Sequence, residues 1–448
     1  MKNIFITKLK YVVLSGIIIL SASSCNTEFE NPNSPTNQQI LNSRDGLFSL
    51  AVGVRQLYST SGLRFIIETP AITTREGGIT TTFLNMIELE EGGTSIPNFN
   101  TNTQGLWVTL TRLIGMTEDL SDGADAVELQ EGTISGLKGY ANIFKALSIG
   151  HLALSFEQVI LETSPNNDAT FVPRQQGLLE AVRLLEEAKN LLGTTPPSTE
   201  FQNVVLGGNL DLLNITNLFL ARFNLYAGNF EAAINSANLV SESSVSFFNY
   251  DNLNPNPIWA RVIQNNVPNF KPQDNFGLPS AIFVFDINDG RFGFYTTPSA
   301  DINPNGYAIE NLEGFFQTQS TPIPVYIPDE AKLILAEAHL RKSSPDINAA
   351  VAALDEVLTD NDDPLGINAN VAAYSGPMTV NDVLLEVYKN RRAELFLTGN
   401  SLEDSRRFNR PQPNPTPRTF TDERNRNFYP YANTERNNNP NTPPDPAI

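Results

Sequence analysis

The stretch Asn217-Leu-Phe-Leu-Ala-Arg-Phe-Asn-Leu-Tyr-Ala-Gly-Asn-Phe-Glu-Ala-Ala-Ile-Asn-Ser-Ala-Asn-Leu-Val240 decides the fold. Leu218, Ala221 and Leu225 recur at helical spacing and share one face. Gly228-Asn229 breaks that period, because glycine enters the left-handed conformation that ends a helix without steric cost. Ala233, Ser236, Ala237 and Val240 restart it. Small side chains on both faces let two helices approach closely, so the stretch predicts an antiparallel helical hairpin.

Helical periods extend from this hairpin in both directions. Upstream they cover Leu47 to Tyr58, Trp107 to Ala126 and Ser135 to Leu161, where Ile143, Ala146, Leu147, Gly150 and Leu154 share a face. Leu178, Ala181, Val182, Leu185 and Ala188 form another stripe. Downstream, Pro328 to Leu358 predicts a second hairpin, with Asp329 as a helix cap and Ser343-Ser-Pro-Asp346 as the break. Val380 to Thr398 predicts a further helix carrying Leu384, Val387, Tyr388 and Leu395 to the core, stopped by Gly399. Between these regions, residues 241–325 change character. Ser246-Phe-Phe-Asn-Tyr250, Pro257-Ile-Trp-Ala260, Ala281-Ile-Phe-Val-Phe285 and Arg291-Phe-Gly-Phe-Tyr295 read as short strands set in Asn-, Asp-, Pro- and Gly-rich loops. The Pro- and Asn-rich segment from Arg410 to Ile448 is expected to run extended over the surface and to fray after Tyr431.

The N-terminus reads as a processing segment. Lys2, Lys8 and Lys10 precede the apolar run Tyr11–Leu20, which is too short for a permanent membrane helix, and Ser21-Ala-Ser-Ser24 leads to Cys25. This resembles a bacterial lipoprotein signal peptide, 1–24, cleaved before a cysteine that then carries lipid; Ala22 stands where such signals usually place Leu. Cys25 is the chain's single cysteine, which excludes an internal disulfide and a thiolate cluster. Residues 25–40, with Asn31-Pro-Asn-Ser-Pro35, form an expected tether, and 41–448 the body. The full chain has a net charge of −19; without the three leader lysines it is near −22. Such a charge opposes binding to nucleic acid or to anionic lipid.

Catalytic signals are weak. Glu330, Glu337, Glu394 and Asp404 are the carboxylates best placed for glycosidic hydrolysis, yet each has a structural use. Glu394 can pair with Arg391 or Lys389, and Asp404 with Arg407 or Arg392. His151 and His339 are the only histidines, so a three-histidine zinc site is excluded. No nucleophile elbow or phosphate loop occurs, and no cofactor is expected beyond calcium. Calcium has one candidate loop, Asp301-Ile-Asn-Pro-Asn-Gly306, whose expected glutamate falls one residue late at Glu313. An Asn-Pro turn explains the same residues.

The hairpin at Ala221–Ala237, with Phe230 in the aromatic position, resembles a tetratricopeptide unit. Together with other motifs, the chain resembles the SusD/RagB family of nutrient-binding outer-membrane lipoproteins of Bacteroidetes. Those motifs are Glu30-Asn-Pro-Asn-Ser-Pro-Thr36, the Pro-led helix of Ile327–Arg341 with Ala336-Glu337-Ala338, Arg391-Arg-Ala-Glu-Leu-Phe-Leu-Thr-Gly399, and Glu403-Asp-Ser-Arg-Arg407. Asn390, Thr398 and Ser405 depart from the family pattern. The resemblance implies a mainly α fold: a tetratricopeptide-like scaffold over about 41–240 and 327–408, a loop-rich ligand region over about 241–326 with short β-strands, and an extended segment 409–448. Ala221, Gly228, Phe230, Ala233, Ala237, Glu337, Arg391, Glu394, Gly399, Asp404 and Arg407 would then be structural.

The resemblance also implies noncatalytic capture of an oligosaccharide, or of a peptide, and delivery to a SusC/RagA-like TonB-dependent barrel. Lipid on Cys25 would hold the protein at the outer membrane, facing outward. Sugar rings pack on aromatic faces while amides and carboxylates take their hydroxyls. Trp259, Arg291, Phe292, Tyr295, Asn303, Asn305, Tyr307, Phe315 and Gln317 are the ligand-binding candidates, and each serves packing equally well; Trp107 is expected in the core.

Overall fold

The computed structural model describes residues 41–264, 267–421 and 423–448. The leader 1–24, the tether 25–40 and the lipidation expected at Cys25 lie outside the described residues. Helices α1 (Arg44–Leu57), α2 (Leu63–Thr73), α3 (Leu84–Glu91), α4 (Thr101–Ala126), α5 (Glu131–Ser155), α6 (Arg174–Thr194), α7 (Leu212–Ala227) and α8 (Phe230–Ala237) occupy the first part. A short α9 (Gly290–Tyr295) lies among loops, followed by α10 (Glu330–Arg341), α11 (Ile347–Leu358), α12 (Val380–Glu394), α13 (Ser401–Arg407) and α14 (Asn433–Asn438). From α4 to α8 each helix packs on its predecessor; α8 then packs on α10, which carries α11 and α12. Serial stacking of this kind is how helical repeats share one continuous core. Among the described residues no helix is long and apolar enough to cross a membrane.

The deciding hairpin is α7–α8. Gly228 sits at φ 82°, where it closes α7, and Ala221, Ala233 and Ala237 are buried between the helices. Phe230 opens α8 and packs, half-buried, against the main core. Neighbouring helices approach closely as well: a Cβ on Gly150 of α5 would fall 2.2 Å from the Phe223 ring of α7.

Several boundaries differ from the sequence expectation. Helix α5 stops at Ser155 rather than reaching Leu161, because Phe156 turns extended (φ −124°, ψ 148°) and buries its ring beside Trp107. Residues Gln158–Ile160 instead pair antiparallel with Phe171–Pro173. Helix α12 stops at Glu394, not Thr398, and Leu397 takes a positive φ of 55°. Gly399 (φ 85°) therefore lies beyond the helix end, where a Cβ would sit 2.6 Å from the Ile66 carbonyl oxygen of α2. Asp329 precedes α10 without capping it; its carboxylate pairs with Lys332 at 3.0 Å.

In the middle region, Phe247–Phe248 pairs with Ile323–Pro324, Gly77–Ile79 with Phe270–Pro272, and Thr296–Thr297 with Asn311–Leu312, all antiparallel. Two expected strands are helical instead. The Pro257–Ala260 stretch leads into a turn of helix at Trp259–Val262, and Arg291–Tyr295 lies in α9. Ala281–Phe285 forms no strand. The end of the chain is another correction: it is not extended throughout. Tyr429, Tyr431 and Ala432 are buried and α14 follows them. Trp107, fully buried as expected, is boxed by Phe156, Phe171 and Tyr431, with centroids 4.9, 5.4 and 5.7 Å away. Its indole N–H donates to Glu435 of α14 at 3.0 Å.

Candidate functional site

The structure sorts the ligand-binding candidates into three places. The first is the interior behind α9. Asp289 accepts from the Arg291 backbone N–H and starts this short helix, which turns Arg291 inward. The Arg291 guanidinium is fully buried and donates to Asp289 (2.7 Å), to Asn390 (2.8 Å) and to Glu394 (3.4 Å). Glu394 thus pairs with Arg291, not with Arg391 or Lys389, and Asn390 meets the same guanidinium. Burial pushes Glu394 well above the ordinary carboxylate range, and Arg291 offsets only part of that. Phe292 stacks on Phe276 at 4.4 Å, while Tyr295 is buried and donates to the Glu394 carbonyl oxygen.

The second place is the turn at Asp301–Gly306. Asn303 is buried and its side-chain oxygen accepts from the backbone N–H groups of Asn305 and Tyr307, both at 3.0 Å. The Asn303 and Asn305 amides donate to Glu90. Tyr307 donates to the Phe420 carbonyl oxygen at 2.8 Å. The carboxylates expected for calcium have other partners: Asp301 pairs with Lys271, and Glu313 accepts from Gln317 and Thr297. This segment is an Asn-Pro turn fastened to α3 through Glu90.

The third place is the surface around Trp259, half-buried on its helical turn. Asn256 accepts from the Trp259 backbone N–H and donates to the Phe315 carbonyl oxygen, so one amide positions both aromatics. Gln317, two residues after Phe315, is exposed and donates to Glu313. Phe315 also packs edge-on against Phe294 and Tyr295, with centroids 5.1 and 6.3 Å away, so it joins this surface to the interior behind α9.

A cleft of 320 Å³ opens between the loop 285–291, the segment 371–376 and α12. Phe285 and Tyr374 supply ring surface, and Asp286, Glu386, Lys389 and Asn390 supply polar groups. Lys389 lies 5.4 Å from the Phe285 ring centroid and pairs with Glu386 at 2.6 Å. The Asp355 carboxylate accepts from the Tyr374 backbone N–H and fixes the segment that carries this ring. Clefts of 550, 410 and 620 Å³ along the helical face are larger but have no aromatic lining. Of the sequence candidates only Arg291 borders the aromatic cleft. Tyr374 had one signal in the sequence, an aromatic alone among small and turn residues in Ala372-Ala-Tyr-Ser-Gly-Pro377.

The carboxylates weighed for hydrolysis are all interior. Glu330 bonds Arg222, Glu337 bonds Arg341 and Arg407, and Asp404 bonds Arg391 and Arg407. Asp404 and Arg407 pair as expected, whereas Arg392 donates to the Thr74 carbonyl oxygen. A hydrolytic pair needs a sugar between its oxygens. Guanidiniums fill that space here.

No protein-family model matches the chain, and no curated protein sequence matches it. Solved structures do match in shape. A SusD superfamily protein from Bacteroides vulgatus is 14% identical, with 92% of this chain and 98% of that one aligned at a TM-score of 0.65. NanU of B. fragilis gives 12% identity, coverage of 93% and 99%, and a TM-score of 0.68. A SusD-like carbohydrate-binding protein from Bacteroides fragilis gives 13%, coverage of 90% and 99%, and 0.66. The fold is therefore SusD-like: a mainly α-helical scaffold with small strands among its loops.

Proposed function

We propose that the protein captures an oligosaccharide at the cell surface, without covalent chemistry, and passes it to a SusC/RagA-like TonB-dependent outer-membrane barrel. Lipid on Cys25 would hold it at the outer membrane facing outward. The observation that carries this reading is the SusD-like fold over 92% of the chain. The aromatic cleft supports it, because Phe285 and Tyr374 offer ring faces beside Asp286, Glu386 and Lys389, the chemistry a pyranose needs. Trp259, half-buried, and Gln317, exposed, offer further contact groups for a longer chain.

Calorimetric titration with a panel of oligosaccharides and peptides tests the capture. A glycan is expected to bind, and Tyr374→Ala to weaken it at least tenfold. Binding of peptides alone, or full affinity in Tyr374→Ala, would overturn the glycan assignment to this cleft. Purification of the natively lipidated protein from solubilised outer membranes tests the handover. Recovery of a TonB-dependent barrel in equal amount is expected, and its absence would remove the delivery step.

A further inference from the structure

We propose that Asp329, Asp360 and Asp363 form a binding site for one divalent cation, calcium by its chemistry, separate from the Asp301 turn. Each carboxylate offers an oxygen, and these oxygens lie within 4.8 Å of one another. Calcium binds carboxylate oxygens at about 2.3–2.6 Å, so oxygens on opposite sides of one ion stand about 5 Å apart.

A second observation points to a ligand. Asp329 is 2% exposed and Asp363 7% exposed, and Oδ2 of each is shut off from solvent without a hydrogen-bond partner. A buried carboxylate oxygen left without a partner is costly, and a cation removes that cost. The other oxygens are already held. Asp329 Oδ1 faces Lys332 Nζ at 3.0 Å, and Asp363 Oδ1 accepts from the Leu365 and Ile367 N–H groups. Asp360 Oδ1 accepts from the Asp362 N–H. These contacts orient the carboxylates but leave their charge unbalanced. Lys332 brings one positive charge against three negative ones and also faces Glu242 at 3.4 Å. A divalent ion makes up the difference.

The ion would tie the start of α10 to the turn after α11. That turn continues through Ala369, whose carbonyl oxygen accepts from the Gly290 N–H, into Val371–Gly376 on the cleft wall. The link to the cleft rests on the proposed function; the ion site does not.

The test is calorimetric titration of calcium chloride into the chelator-stripped protein, with thermal melts in calcium and in chelator. One calcium per chain is expected, raising Tm by several degrees. Asp360→Asn should abolish both effects while keeping the circular dichroism of the parent, since Asp360 is only half-buried. Asp301→Asn should leave both intact. Identical melts with and without calcium would overturn the site, as would calcium binding that survives Asp360→Asn or is lost in Asp301→Asn.

Discussion

Glu337 sits at the centre of a buried ion cluster. It receives both arms of Arg407, at 2.7 and 2.8 Å, and the Arg341 Nε at 2.6 Å. Asp404 receives both arms of Arg391, at 2.9 and 3.0 Å, and a further bond from Arg407 at 2.7 Å. Burial alone would raise Glu337, but Arg407, Arg341 and Arg391 outweigh it and hold the group below its usual 4.5. Removing one partner from such a cluster leaves an uncompensated buried charge. Glu337→Gln is therefore expected to cost about 3–5 kcal/mol in urea unfolding at neutral pH. Because its folded pKa is depressed, the parent's stabilisation is present above the unfolded value and is lost as pH falls through the folded one. The gap between parent and variant should close on acidification below 4.5, and a gap independent of pH would refute the assignment. The Asp404–Arg407 pair was legible because its members share one helix at i, i+3. Glu394 was not, since its partner Arg291 lies 103 residues away and no local spacing encodes that.

Glycines at the ends and faces of helices separate two kinds of constraint. At Gly228 an added Cβ meets nothing within 4 Å, so Ala there suffers only the left-handed backbone at φ 82°. Gly228→Ala should cost about 1–2 kcal/mol. At Gly150 the backbone is helical and the obstacle is the Phe223 ring. Gly150→Ala should cost at least as much, about 1–3 kcal/mol from overpacking. Truncation by Phe223→Leu should recover stability in the Gly150→Ala background and none in Gly228→Ala; equal recovery in both would refute the distinction. The long helices were readable because their apolar period is sustained over several turns. The aromatic runs at Trp259 and Arg291 misled because a helical turn this short has no period to display. Their signal lay in the residues before them, Asn256 and Asp289, whose side chains accept from the first backbone N–H groups. The cleft was less legible still, since Phe285 and Tyr374 come from loops with no periodic constraint on where they meet.

Across the whole molecule, the last segment completes the packing of the first helices. Tyr431 lies fully buried against Trp107, and its hydroxyl accepts from the Gln158 backbone N–H at 2.9 Å. Tyr429 bonds Thr73 of α2, and its backbone N–H donates to Ser155. Pro and Asn composition suggests an extended surface segment, but composition reports backbone preference and not where isolated aromatics land. Tyr431→Ala should cost about 3–5 kcal/mol, as removal of a buried ring does. Trp107 fluorescence should also shift to the red as water enters, and an unshifted spectrum would count against the box. Trp107 and Glu435 stand 328 residues apart in sequence, so the order of synthesis has a physical meaning. A chain emerging N-terminus first carries an open wall beside Trp107 until Tyr431 and Glu435 have been made. The wall of the Trp107 box that Tyr431 supplies, and the acceptor that Glu435 supplies, close only at that stage, so this part of the core is the last to be completed.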